Sequence, residues 1–88
     1  MTFDQADVLM HQGQAVRLKK WPDGHRIFRV KHGKSLVDDT PVQLLGEPIR
    51  DWKPEFIALK TKTGSTLYWS LQDDLDYVRA SMTEWEAV

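Results

Sequence analysis

The stretch GQAVRLKKWPDGHRIFRVK, residues 13–31, decides how this chain folds. At its middle, Trp21-Pro22-Asp23-Gly24 sets out turn residues in favoured order. Pro presets φ, Asp bonds the local backbone, and Gly accepts positive φ. Residues 14–20 before the turn alternate as a strand, with Val16 and Leu18 on one face and Ala15 and Arg17 on the other. Residues 25–31 after it alternate again: Ile27 stands between Arg26 and Phe28, and Val30 between Arg29 and Lys31. Two strands about one tight turn predict a hairpin.

Upstream, Phe3, Ala6, Leu9 and Met10 recur at helical spacing. Thr2 and Gln5 stand three apart, as a capping box requires. Asp4 and Asp7 occupy the first turns, where the helix dipole favours acids. Gly13 suits the left-handed position after a helix end. A helix over 2–12 is predicted. Downstream, residues 32–52 carry Gly33, Gly46, Pro41, Pro48 and Asp38-Asp39, and read as a long loop with a short strand at 42–45. Residues 56–61 form a strand after Pro54, 62–65 turn, and 66–69 return. Ser70 and Asp73 resemble a capping-box start for a second helix through Leu71, Leu75 and Val78. Residues 84–88 alternate as a final strand. The order predicts one α+β domain over 1–88: a small antiparallel sheet, an N-terminal helix, and a second short helix near the C-terminus.

Composition narrows the function. At 88 residues the core is thin, and small domains often recruit disulfides, metals or self-association. The chain has no Cys, and His11, His25 and His32 lack zinc-type spacing. Self-association is therefore expected. With 12 basic and 13 acidic residues the formal net charge is -1, which argues against stable DNA or RNA binding but leaves room for a small anionic ligand. No apolar run is long enough to span a membrane and no signal peptide is visible, so a soluble, cytoplasmic protein is expected.

Three constellations carry candidate chemistry. Arg17, Lys19, Lys20 and Trp21 set cations beside an indole, as a phosphorylated base requires. The simpler reading is a strand face solvated by cations, with Trp21 closing the core. Trp21, Trp52, Trp69 and Trp85 are many indoles for a short chain; a thin core uses large rings, yet strand ends and loops also line pockets. Asp73, Asp74 and Asp76 compensate a helix dipole, or supply a ribose contact. No glycine-rich phosphate loop or nucleophile motif is present, so binding without catalysis, and without a cofactor, is expected.

The chain resembles the Thoeris anti-defence 2 family of small phage proteins. Met1, Phe3, Ala6, Gly13, Val16, Arg17 and Trp21 match its M-x-F-x-x-A, G-x-x-V-R and W blocks. Ile57, Leu59, Lys60, Thr61, Gly64 and Trp69 match a second block, and the ending from Glu84 to Val88 is similar to its D-W-E-x-V terminus. Tyr68 stands where the family often has Pro. The resemblance implies a non-enzymatic sponge that acts in the infected bacterial host. It would sequester a cyclic nucleotide immune signal, a cyclic ADP-ribose isomer or in some members a cyclic oligonucleotide. It also implies a homo-oligomer, a tetramer built as a dimer of dimers, with pockets between subunits. On that reading Arg17 grips phosphate, Lys19 or Lys20 adds charge, Trp21 or Trp69 stacks the base, and Asp74 accepts from a ribose hydroxyl. Two other readings fit the residues: a β-rich module for single-stranded nucleic acid, and an inhibitor that contacts a host protein directly.

Overall fold

The computed structural model describes residues 1–44, 54–69 and 84–88. Its first element follows from the capping pattern. Helix α1 (Phe3–His11) has Thr2 as N-cap, and both halves of the capping box form. The Gln5 amide donates to the Thr2 hydroxyl at 3.2 Å, and the Thr2 amide donates to the Gln5 side chain at 2.9 Å. The chain leaves the helix through Gly13 at φ 87°, where a left-handed residue is needed. A side chain there is excluded twice over, because a Cβ would lie 2.7 Å from the Leu36 carbonyl oxygen.

The strands are β1 (Val16–Leu18), β2 (Arg26–Lys31), β3 (Lys34–Ser35), β4 (Glu55–Lys60), β5 (Thr66–Trp69) and β6 (Trp85–Ala87). They form one antiparallel sheet in the order β5-β4-β2-β1-β6, and β3 pairs β2 off that path. The β1–β2 hairpin forms around the 21–24 turn, with Val16 opposite Ile27. The fold is therefore α+β with an N-terminal helix. The expected second helix lies outside the described residues. Among the described residues no helix is long and apolar enough to cross a membrane.

The region read as a long loop begins instead with another hairpin. Lys31 pairs Lys34 across His32 and Gly33, whose φ values are 53° and 77°. Two consecutive positive φ values make the primed two-residue turn that matches strand twist. Histidine disguises this turn, because Asn or Asp usually precedes the Gly. The chain then folds back so that Val42 donates to the Gly33 carbonyl at 2.8 Å and Leu44 becomes buried.

Both faces of the sheet are covered. On the helix side lie Ala6, Met10, Val16, Leu18, Ile27, Trp69 and Trp85, with Phe3, Trp21, Ile57 and Leu59 partly buried against them. On the other side lie Ala15, Phe28, Val30, Leu44, Phe56 and Ala58, with Val42 packed on top. Consecutive Ile27 and Phe28 are both buried because each faces a different cluster.

Trp85 is the hub of the helix-side cluster. Its ring meets Phe3, Trp21 and Trp69 edge-on, with centroids 5.4, 5.6 and 6.1 Å away. Each such pair contributes about 0.5–1.5 kcal/mol beyond its buried area. The ends of the described chain are tied here. The Met1 ammonium donates to the Trp85 carbonyl at 3.0 Å, and the Trp85 amide donates to the Met1 carbonyl at 3.2 Å. Helix and sheet are also joined by charge: the Arg29 guanidinium donates twice to the Asp7 carboxylate, at 2.8 and 3.1 Å.

Candidate functional site

Concavity on the sheet lies on the face away from α1. There a pocket of about 140 Å³ is floored by Ala15 and Phe28. Arg26, Lys60 and Thr66 form one wall, and Ser35, Asp38, Thr40 and Val42 the facing segment. The wall is a product of register. Arg26 pairs Lys60 across β2 and β4, and Lys60 pairs Thr66 across β4 and β5, so three polar side chains share one level of one face. One residue on from the Val16–Ile27 pair, Arg17 falls at the level of Arg26, which extends the row towards β1.

Cations directly opposite one another destabilise a sheet. Neither cation is neutralised here: among the described residues, neither Arg26 nor Lys60 has a carboxylate partner. Arg26 spends one nitrogen on the Gly24 carbonyl at 3.0 Å. Both side chains are half-buried, so water screens them incompletely. Their shared field is unspent.

Asp38 supplies the opposite sign on the facing segment. Its Oδ1 accepts from the Thr40 hydroxyl at 2.7 Å and from the Thr40 amide at 3.2 Å. The Thr40 hydroxyl bond is the largest influence on this carboxyl and the amide bond the next; together they hold it below the usual Asp pKa. It stays anionic at neutral pH. Ser35, the buried polar residue of the pocket, accepts from the Val37 amide at 3.1 Å.

Among the described residues, none of those singled out in the sequence lines this pocket, although Arg17 continues its row at the level of Arg26. The Arg17 side chain, 18% exposed, turns back on its own strand and turn. It donates to the carbonyls of Leu18 and Trp21 and lies 3.4 Å from Asp23 and 3.7 Å from Glu86. Lys19 is exposed, and Lys20 lies 3.7 Å from Glu84. Trp21 is half-buried and Trp69 buried, and both pack on Trp85. The structure thus joins Arg17 to Trp21 through a backbone carbonyl, and Trp21 to Trp69 through a third ring. Asp74 and Trp52 lie outside the described residues.

Sequence reasoning passed over Arg26, Phe28, Asp38, Thr40, Lys60 and Thr66 as site residues. Arg26 and Phe28 share one parity of β2, a signal that was available. The pairing of Arg26 with Lys60, 34 positions away, depends on sheet register and leaves no local mark.

The chain matches no protein-family model and no curated protein. The class that fold and site define is a small α+β domain with a cationic pocket on the sheet face away from α1.

Proposed function

We propose that the protein binds and sequesters a cyclic nucleotide immune signal without altering it, as the resemblance to the Thoeris anti-defence 2 family implies. The observation that carries this reading is the opposed Arg26–Lys60 pair above an aromatic floor. A phosphate between the two cations turns a repulsive pair into an attractive triad, and Phe28 offers a ring to the adjoining sugar or base. A basic surface suited to long polyanions is not required, which fits a net charge of -1.

The pocket volume of about 140 Å³ holds a phosphoryl group and part of a sugar. Whole-ligand pockets are usually about 300–1,000 Å³. The rest of a cyclic ADP-ribose isomer would need another wall, and we assign that wall to a second copy within a tetramer built as a dimer of dimers. The protein would then work in the cytoplasm of an infected bacterium as a non-enzymatic sink.

The test is a thermal-stability panel of cyclic ADP-ribose isomers and cyclic di- and trinucleotides. A ligand at roughly 100 times its Kd should stabilise the fold by about 2.7 kcal/mol. Heat denaturation should then release it chemically intact. No stabilisation by any member, or recovery of an altered ligand, would refute the proposal.

A further inference from the structure

We infer that His25 is a positioning residue for this pocket: its neutral ring clasps two turns together and so keeps Arg26 opposite Lys60. The inference rests on the proposed anion site and deepens it by naming what regulates it. Arg26 and Lys60 form the terminal pair of the β2–β4 ladder. Strand ends fray, and two opposed cations push the ends apart. A site that holds such a pair ready for an anion needs a tie beyond it. His25 supplies that tie. It stands one residue before Arg26, and its Nδ1 accepts from the amide of Lys62, two residues beyond Lys60, at 3.2 Å.

Both turns are braced for this contact. The His25 amide donates to the Pro22 carbonyl at 3.1 Å, which closes the first turn. In the second, the Gly64 amide donates to the Thr61 carbonyl at 2.9 Å, and the Thr61 amide to the Ser65 carbonyl at 2.8 Å. The turns lie so close that a Cβ on Gly24, at φ 93°, would stand 3.2 Å from the Lys62 Cα. Arg26 belongs to the same unit, because its guanidinium donates to the Gly24 carbonyl at 3.0 Å. A backbone N–H can only donate, so the ring nitrogen that meets Lys62 is the acceptor and the ring proton sits on Nε2. A second proton would set a donor against a donor and undo the clasp. It would also place a further cation next to Arg26. The charged groups on the joined segments are Asp23 and Arg26 on one side and Lys60 and Lys62 on the other, and Asp23 faces Arg17 at 3.4 Å. Among the described residues no carboxylate pairs with the His25 ring. The pocket wall is thus set while His25 is neutral and loosened once it is charged.

The experiment titrates the full chain with sodium sulfate at constant ionic strength, followed by the amide resonances of Arg26 and Lys60. Sulfate keeps one charge state between about pH 5 and 8, the range in which histidine titrates. Three variants, all uncharged at position 25, are compared with wild type at about pH 8. His25→Asn places an amide oxygen where Nδ1 stands, His25→Gln carries its amide out to where Nε2 stands, and His25→Ala offers no acceptor. His25→Asn should bind sulfate within about 1.5-fold of wild type. His25→Gln and His25→Ala should weaken it about threefold to fivefold, because losing one hydrogen bond lowers the binding-competent fraction. Lys60→Ala should weaken it about tenfold. In wild type the Lys62 amide proton should shift together with the His25 ring signals as pH falls from about 8 to 5, and in His25→Asn it should stay in place. Far-ultraviolet circular dichroism and the urea midpoint of each variant report folding separately. A histidine that only stabilised the fold would lower the midpoint and leave the sulfate affinity of the folded protein unchanged.

Equal sulfate affinity in wild type, His25→Gln and His25→Ala would overturn the inference. So would a His25→Asn variant as weak as His25→Ala, a Lys62 amide that ignores the His25 ring, or wild type that shows no sulfate shift at Arg26 and Lys60. Its failure is separable from that of the proposed function. If cyclic ADP-ribose isomers stabilise the protein while all position-25 variants bind sulfate alike, sequestration stands and the clasp falls. If the position-25 pattern is seen while no member of the nucleotide panel is retained, the clasp stands and the sequestering role falls.

Discussion

Replacing Arg17 with Ala should destabilise the unliganded protein before any ligand is considered. The guanidinium donates to two backbone carbonyls, those of Leu18 and Trp21, and so pins the strand to the turn that follows it. Charge-assisted hydrogen bonds of this kind contribute about 1.5–3 kcal/mol, and the longer Leu18 contact lies at the weak end. The neighbouring carboxylates add little: Asp23 is fully exposed and Glu86 is 42% exposed, and such pairs are worth roughly 0–1 kcal/mol. The expected loss is about 2 kcal/mol. For a domain of this size that lowers Tm by roughly 8–16 °C. Arg17→Lys should recover only part of it, because one ammonium cannot span both carbonyls as a planar fork does. Urea denaturation followed by tryptophan fluorescence measures this directly, with an unchanged slope showing that the unfolded state is not altered. Should Arg17→Ala stay within about 0.5 kcal/mol of wild type and yet abolish ligand binding, Arg17 belongs to the ligand and the structural assignment is wrong.

Two further expectations follow from packing. Gly13→Ala and Gly64→Ala both force an L-residue to positive φ, at about 1 kcal/mol or slightly more, but only Gly13 also faces the Leu36 carbonyl; its urea midpoint should therefore drop at least twice as far as that of Gly64→Ala, where nothing lies within 4 Å. Arg29→Met should cost about 1–2 kcal/mol by stranding the half-buried Asp7 carboxylate, and a double-mutant cycle with Asp7→Asn should return a coupling near 1 kcal/mol that persists in high salt.

The parts of the fold that were legible are those written in local chemistry. Thr2 and Gln5 announce the helix start, Gly13 its end, and 21–24 the hairpin turn. Strand β5 matches its expected span of 66–69. What was hidden is long-range. Asp7 reads as a helix-dipole residue until β2 brings Arg29 against it, 22 positions away. His32-Gly33 does not advertise a primed turn, so the sequence around β3 reads as loop. The tryptophans illustrate the same limit from the other side. Trp21 and Trp69 end their strands, where pocket walls are common, yet both turn towards Trp85 because a thin core takes every large ring on offer. The row of Arg26, Lys60 and Thr66 exists only once three strands align.

The mutual backbone bonds of Met1 and Trp85 close the fold over a long sequence separation. Helix and first hairpin are sequence-local and can form in microseconds, but the contact that fastens them spans 84 positions. Until the last strand slides between β1 and the first residue, the Phe3 and Trp21 rings surround an unfilled socket. Residues 85–87 thus act as a latch rather than a tail, joined to β1 on one side and to the Met1 backbone on the other.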